Sequence, residues 1–557
     1  MKKQLFKKTI ACALAVAMTV SLAACGKSSS GGGQANVSGL DENGEVVEIT
    51  FPLAEKAELS FITSAPANST QDPNEREIFK RLEEATNVHI NWTCFVEDQF
   101  NDKKNLALSQ AKSLPDGLFN AGMSNYDLLR YAKQGVIIPL EDLIDNYMPN
   151  LQAVFEKYPE YRTMSTAPDG HIYAFPWIEQ LGEGKEAIQS IGGMPFINKK
   201  WLDELGLEVP TTTDELEQVL IAFKEKDPAG NGQTIPMTFI INDGDQDFYE
   251  LMGAFGEGYG DVPDHIAVTN DKKVIWTATQ DGYKEAIAWL HKLYEQGLMD
   301  PEGFTQDWGT YVAKGKSDRY GLFFTWDAAN IGSNLDDYIP LPALAGPTGM
   351  KSVPRQSGSA TSGYDRGRCV LTSKCSNTAL AAKWLDQMYA PLQSPQNNWG
   401  TYGEEGKFNI FEMSENENGE PMLKHMDLGT ESPVEVRQAQ SVNGPLAILN
   451  DYYGTYVTCP DDAQYRLDWI REIYVPDMIE EYVYPNVFMS QEDTDKLNQY
   501  ETDLKKYTNQ MRADWIMNGG VEEGWDAYIQ KLDEYGLQEY LEIRQKYLDD
   551  YFAAGNE

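Results

Sequence analysis

Basic residues are scarce in this 557-residue sequence. Lysine and arginine number 46 against 86 aspartates and glutamates, a formal charge of −40 that becomes −44 if the four lysines near the start (Lys2, Lys3, Lys7, Lys8) are removed. Affinity for polyanions rests on Lys and Arg, so nucleic acid is excluded as a partner. The acidity describes a solvated exterior and says little about a ligand. Histidine is rarer still, and the five (His89, His171, His265, His291, His425) are scattered. There is no Gly-x-Ser-x-Gly, no His-Glu-x-x-His and no Walker loop, so serine-hydrolase, zinc-protease and nucleotide-hydrolysing chemistry lack their motifs. With 86 carboxylates some pair always lies at glycosidase separation, so their number is no argument for hydrolysis. Six cysteines are present, and Cys94, Cys369, Cys375 and Cys459 remain once the N-terminal Cys12 and Cys25 are set aside. None has Cys-x-x-Cys spacing, which excludes a zinc site; Cys369 and Cys375 are either a local bridge or buried free thiols.

What is present is an alternation of strand-like and helix-like segments, which argues α/β, in a chain too long for one hydrophobic core, which argues at least two lobes. Leu59-Ser60-Phe61-Ile62-Thr63 reads as a first strand, 75–85 as a helix, Val88-His89-Ile90-Asn91-Trp92 as a second strand and 100–112 as a helix. This rhythm makes a parallel sheet whose ligand-binding loops gather at the carboxyl ends of the strands. Asn68, Asp98, Asn120 and Asn125 fall on or near those loops and are the polar candidates of the first lobe. Asp243, Asp245 and Asp247 lack a recognisable loop frame and read as solvated. Helix 281–296 carries Ile287, Leu290 and Leu293 inward, and Gly536 breaks the helical C-terminus in two.

The most informative stretch runs from His171 to Phe223. In Gly170-His171-Ile172-Tyr173-Ala174-Phe175-Pro176-Trp177 the proline has no amide hydrogen, so the chain is expected to leave its sheet there. Further on, Thr212 as N-cap with Glu215 three residues later is a capping box, and Leu216, Val219, Leu220 and Phe223 recur at helical spacing. The succession "IYAFPW", then "INKKWLDELGLEVPTTTDELEQVLIAF", resembles the family 1 extracellular solute-binding proteins, the sugar-capturing lipoproteins of bacterial ABC importers. The resemblance implies a two-lobed, maltose-binding-protein-like α/β fold with a hinge and an interlobe cleft. It places the first lobe at 57–177 with a return segment at 345–394, the second lobe at 178–344, and mainly second lobe from 395 to 557. It also implies a monomeric, non-enzymatic receptor without cofactor that binds an oligosaccharide and delivers it to the transmembrane permease subunits of the importer.

Sugars present apolar faces edged by hydroxyls, so their sites need flat aromatics beside amide, carboxylate and guanidinium groups. The family pattern puts Trp177 on the crossing strand and Trp326 with Asp327 at the end of an aromatic strand facing the cleft. Arg355 and Arg437 are suited either to gripping hydroxyls or to salt bridges. A secreted glycan hydrolase and a peptide-binding surface lipoprotein are the alternative readings.

At the N-terminus, lysines, an apolar run from Ile10 to Val20 and Leu22-Ala23-Ala24-Cys25 make a secretory signal over 1–24, too short for a lasting membrane span. The last four residues resemble the bacterial lipobox, which implies lipidation at Cys25, a flexible linker over 25–56 and a place on the extracellular face of the cytoplasmic membrane. Asp227-Pro228-Ala229-Gly230-Asn231-Gly232 is reminiscent of a calcium loop. Ala229 replaces one ligand and no acid follows, so no metal is expected.

Overall fold

Short β-prone runs alternating with amphipathic helices build two sheets. The structure is a computed structural model that describes residues 35–67, 69–110, 113–357, 363–403, 409–429 and 433–553. In chain order the strands are β1 (Ala57–Ala65), β2 (Val88–Val96), β3 (Gly117–Leu118), β4 (Phe175–Glu179), β5 (Met194–Asn198), β6 (Ile235–Met237) and β7 (Ile266–Val268). They continue as β8 (Val274–Trp276), β9 (Tyr320–Thr325), β10 (Tyr338–Pro340), β11 (Tyr364–Leu371), β12 (Phe411–Glu415), β13 (Pro421–His425) and β14 (Leu446–Ile448). The first sheet has the order β14-β4-β11-β3-β1-β2 and the second the order β10-β5-β9-β6; β7 with β8 and β12 with β13 form hairpins. The chain crosses from the first sheet to the second between β4 and β5, and returns between β10 and β11.

Each sheet has its own core. Under the first, Phe61 stacks on Trp384 at 5.9 Å and Phe79 packs on Trp92 at 4.8 Å, beside Leu59, Phe119 and Leu385. Under the second, Leu322 and Phe324 of β9 meet Leu220 and Phe223 of the helix Thr213–Lys226. The helices Gln491–Asn518, Val521–Glu534 and Leu537–Ala553 enlarge that core with Trp515, Tyr528 and Tyr540. Gly536, at φ 91°, makes the expected break between the last two. The cap of Thr213–Lys226 has a variation. The Thr212 hydroxyl accepts the Glu215 amide at 3.1 Å, but the Glu215 carboxylate takes the amide of Thr211, not of Thr212, at 2.8 Å.

Three expectations are corrected. The chain does not leave its sheet at Pro176: β4 runs on to Glu179, paired with β11 on one side and β14 on the other. Opposite Pro176, which has no amide hydrogen to give, β11 carries a bulge, since Trp177 faces Asp365 while Phe175 faces Cys369. Secondly, residues beyond Ser394 supply the first sheet as well: β14 is its edge strand, and Trp399, Phe411, Leu423 and Val457 lie in its core. A strand and a hairpin joined by loops carry no sequence sign of which lobe they join, because that is decided by tertiary packing. Thirdly, Asp247 is not solvated. It is fully buried against the guanidinium of Arg512, and its oxygens also accept the amides of Asn242 at 2.6 Å and Phe248 at 2.8 Å. One buried pair thus fixes the loop after β6 to a C-terminal helix. Arg512→Met leaves Asp247 buried and unpaired, and should lower unfolding free energy by about 3–5 kcal/mol in urea titrations.

Candidate ligand-binding site

The register of the first sheet decides which residues reach its rim. β1, β3, β4 and β14 run one way and β11 the other, so Ala65, Phe119, Trp177 and the start of β11 share one edge. The bulge turns Arg368 onto that edge. Its guanidinium lies over the Trp177 ring, 5.5 Å from the centroid, donates to Asn120 Oδ1 at 2.9 Å, and pairs with the Asp365 carboxylate at 2.9 Å. Asn120 in turn donates to the Ser64 hydroxyl at 3.1 Å. The backbone is held as closely: Ala121 and Met123 donate their amides to the carbonyls of Arg368 and Gly367 at 2.7 and 2.9 Å. A Cβ on Gly367 would stand 1.9 Å from the Met123 carbonyl oxygen, so the approach requires glycine. Trp177 and Arg368 remain partly exposed, giving an indole with a guanidinium over one face and a carboxylate and an amide held beside that guanidinium.

Beside this floor, Glu179 accepts from the Asn398 amide at 2.6 Å and lies 3.6 Å from Arg437, which also donates to the Asn398 carbonyl at 2.9 Å. Tyr453 packs both against the core under Trp177 and against the small cluster of Leu181, Ile188, Ala463 and Leu467 that supports Trp326. On the second sheet β9 ends in Trp326 and Asp327, both partly exposed. The Asp327 carboxylate caps the turn Ala328–Asn330 by accepting the Ala329 amide at 2.9 Å. Burial pushes its pKa from the ordinary 3.8 up to about 6, with the neighbouring Asp462 adding to the rise and Arg466 opposing it.

The residues expected at the site separate into two groups. Trp177, Asn120, Trp326 and Asp327 lie on the rims just described. Asp98 is exposed in the first turn of the helix Glu97–Ser109, which starts three residues earlier than expected and directly follows β2 at the edge where Val96 pairs with Ala65. Asn125 is spent elsewhere: its carbonyl accepts from Arg366 at 2.6 Å and its amide donates to the Val487 carbonyl at 3.4 Å. Arg355 is buried, donating to the carbonyls of Glu480 and Glu481 at 3.2 and 3.3 Å while its own amide donates to the Glu480 carboxylate at 2.8 Å. Asn68 and Cys25 lie outside the described residues. Arg368 and Asp365 were not anticipated. The charged run Asp365-Arg366-Gly367-Arg368, opposite a proline inside a strand, was the signal for them.

Cys94, Cys369, Cys375 and Cys459 are free thiols, the two middle ones buried. Among the described residues no three His, Cys, Asp or Glu side chains gather as a metal site. In the calcium-like loop both Asp227 oxygens are occupied by backbone donors, Gly232 at 2.6 Å and Thr234 at 3.1 Å. The Thr234 hydroxyl closes the turn by accepting the Ala229 amide at 3.0 Å.

Two α/β lobes joined by crossing segments, each with an aromatic ring beside a carboxylate at its rim, are the architecture of the two-lobed binding proteins. Residues 66–393 match the family model of the bacterial extracellular solute-binding proteins, and the chain belongs to that family. It is 51% identical to the fructooligosaccharide ABC transporter substrate-binding protein FusA of Streptococcus pneumoniae serotype 4, over 91% of this chain and 93% of that one. Two solved structures of the S. pneumoniae protein, one with kestose and one of an EF-hand mutant with fructo-nystose, match at TM-score 0.85 and 50% identity. Each match covers 89% of this chain and 100% of the other. A solute-binding protein from Bifidobacterium longum infantis, described as binding HMO, matches at TM-score 0.71 and 27% identity over 89% of this chain and 99% of its own.

The raised Asp327 pKa has a definite sign. The folded state holds a proton there that the unfolded chain gives up near 3.8, so this group favours folding at low pH and loses that contribution as pH rises through about 6. Asparagine is neutral throughout and can still accept the Ala329 amide. Asp327→Asn should therefore raise Tm above pH about 6 and leave it unchanged below pH about 4, as measured by a pH series of thermal melts.

Proposed function

We propose that this protein is the substrate-binding component of an oligosaccharide ABC importer, and that its ligands are short fructooligosaccharides of the kestose and nystose type. The observation that carries the ligand class is the rim of the first lobe, where Trp177 lies beneath Arg368 and beside Asp365 and Asn120. A furanose ring has an apolar face for the indole and hydroxyls for the fork of donors and acceptors around it. The close relative named for fructooligosaccharides supports the narrower choice.

In this reading Trp177, Asn120, Asp365 and Arg368 hold the sugar on the first lobe, and Trp326 and Asp327 meet it from the second. Contacts to both lobes form together only in the closed state. Sugar therefore shifts the open–closed equilibrium by its difference in affinity for the two states. The closed rim is the surface presented to the permease subunits. Cys25 carries the lipid that tethers a monomer to the extracellular face of the cytoplasmic membrane. The linker expected over 25–56 is not free along its length, because Ala35 and Leu53 donate their amides to Ser373 and Thr86 and the Gly39 carbonyl accepts from Tyr147, which packs the stretch from Ala35 on against the first lobe. Two acyl chains suffice for stable anchoring. The part the protein plays is capture and delivery, and the energy for transport is supplied by the importer's ATPase.

The test is a set of thermal melts of the chain starting after Cys25, with kestose, nystose and a control panel of malto-oligosaccharides and peptides. Sugar at roughly 100 times its Kd adds about 2.7 kcal/mol, a rise of a few degrees in Tm. The reading expects that rise with kestose or nystose, the sugar recovered intact, and a Trp177→Ala variant that folds normally and binds at least about tenfold more weakly. A rise with peptides alone would remove the sugar reading, and a rise with malto-oligosaccharides alone would remove fructose.

A further inference from the structure

Arg466 is almost wholly buried, yet its hydrogen bonds all go to main-chain carbonyls. Its Nε donates to Ile188 at 2.9 Å, one terminal nitrogen to Trp326 at 2.9 Å, and the other to Ile191 and Gly192 at 2.9 and 2.6 Å. The same guanidinium lies over the Trp326 ring, 5.0 Å from the centroid. A planar fork of five donors is suited to holding several carbonyls in fixed directions at once; a lysine ammonium is a point charge with three rotatable donors and lacks that planar geometry.

The segments it joins are not equivalent. Ile188, Ile191 and Gly192 belong to the stretch that carries the chain from β4 in the first lobe to β5 in the second. That stretch is pressed onto the loop after β6, since a Cβ on Gly193 would stand 1.6 Å from the Asp245 carbonyl oxygen. Trp326 is the aromatic end of β9. The helix Asp461–Trp469, through Arg466, thus ties the interlobe crossing to the Trp326 ring.

We propose that Arg466 is a positioning residue for sugar binding: it sets the angle of the Trp326 ring and couples that ring to the crossing stretch, without touching the ligand. The proposal rests on the reading above that Trp326 contacts a fructooligosaccharide. When the lobes move, the crossing stretch and the platform then move as one body, so the ring arrives at the sugar already oriented. A platform fixed before closure forfeits less conformational freedom on binding.

The experiment is a double-mutant cycle with Arg466→Lys and Trp326→Ala, read by kestose titration calorimetry and by near-UV circular dichroism. Arg466→Lys alone should weaken kestose binding about tenfold, and in the Trp326→Ala background should weaken it by no more than about twofold. The near-UV signal that distinguishes wild type from Trp326→Ala should also be lost in Arg466→Lys without sugar. Equal loss of affinity in both backgrounds, or a retained near-UV signal, would overturn the proposal. So would an Arg466→Lys chain unable to fold, which assigns the residue to stability alone. If wild type bound no fructooligosaccharide, the functional reading would fail while the near-UV comparison still decided whether Arg466 orients Trp326.

Discussion

A missing hydrogen shapes the ligand side of the first lobe. Pro176 is the second residue of β4, which has a partner strand on each side, and cannot donate to the ladder. The facing strand answers with a bulge, and the three residues set against Pro176, Arg366, Gly367 and Arg368, lean away from β4 onto the loop after β3. One arginine then turns inward. Arg366 is buried over Phe488, 4.4 Å from the ring centroid, and donates to Asn125 and to the carbonyl of Asn486. The other turns to the rim and stacks on Trp177. Bulges re-aim side chains, and here one bulge supplies both a joint to the C-terminal segment and the polar edge of an aromatic platform.

The second lobe solves a harder electrostatic problem. Its ligand-side loops are rich in acid, and several acids are buried: Asp247, Asp261 and Glu250 among them. Burial, with Asp245 and Asp247 adding to it and Arg466 opposing, pushes Glu250 up to about 8. Arg512 and Arg466 serve the charged remainder in different ways. Arg512 pairs directly with Asp247 and lies 3.7 Å from Asp261, whereas Arg466 spends its donors on carbonyls and offers only its field to the acids around it. Buried ion pairs are weak sources of stability but strong fixers of geometry, because the alternatives leave a charge without a partner.

Local chemistry was legible in the sequence. The helix Thr213–Lys226, its threonine cap, the inward face of the helix Asp281–Glu295 and the break at Gly536 all follow from spacing within a few residues. Trp326 and Asp327 were reached through the resemblance of the strand before them, and Asn120 through the rim rule for parallel sheets. What escaped was set by partners far along the chain. Asp247 looked solvated because its partner, Arg512, lies 265 residues away. Asn125 looked available for a ligand, and Arg355 had two readings, because the carbonyls they bind belong to residues beyond 478. Arg368 was missed for a subtler reason: a proline in a strand reads as an exit until the neighbouring strand is known to bulge around it.

The central claim is that one sugar is held between Trp177 on the first lobe and Trp326 on the second. The measurement that meets it most directly is a crystal structure of the chain with nystose bound. The account predicts a fructose ring against Trp177, its hydroxyls on Arg368, Asp365 and Asn120, and Trp326 closing from across the cleft. A sugar seated away from both tryptophans, or lobes that stay open around it, would contradict the account.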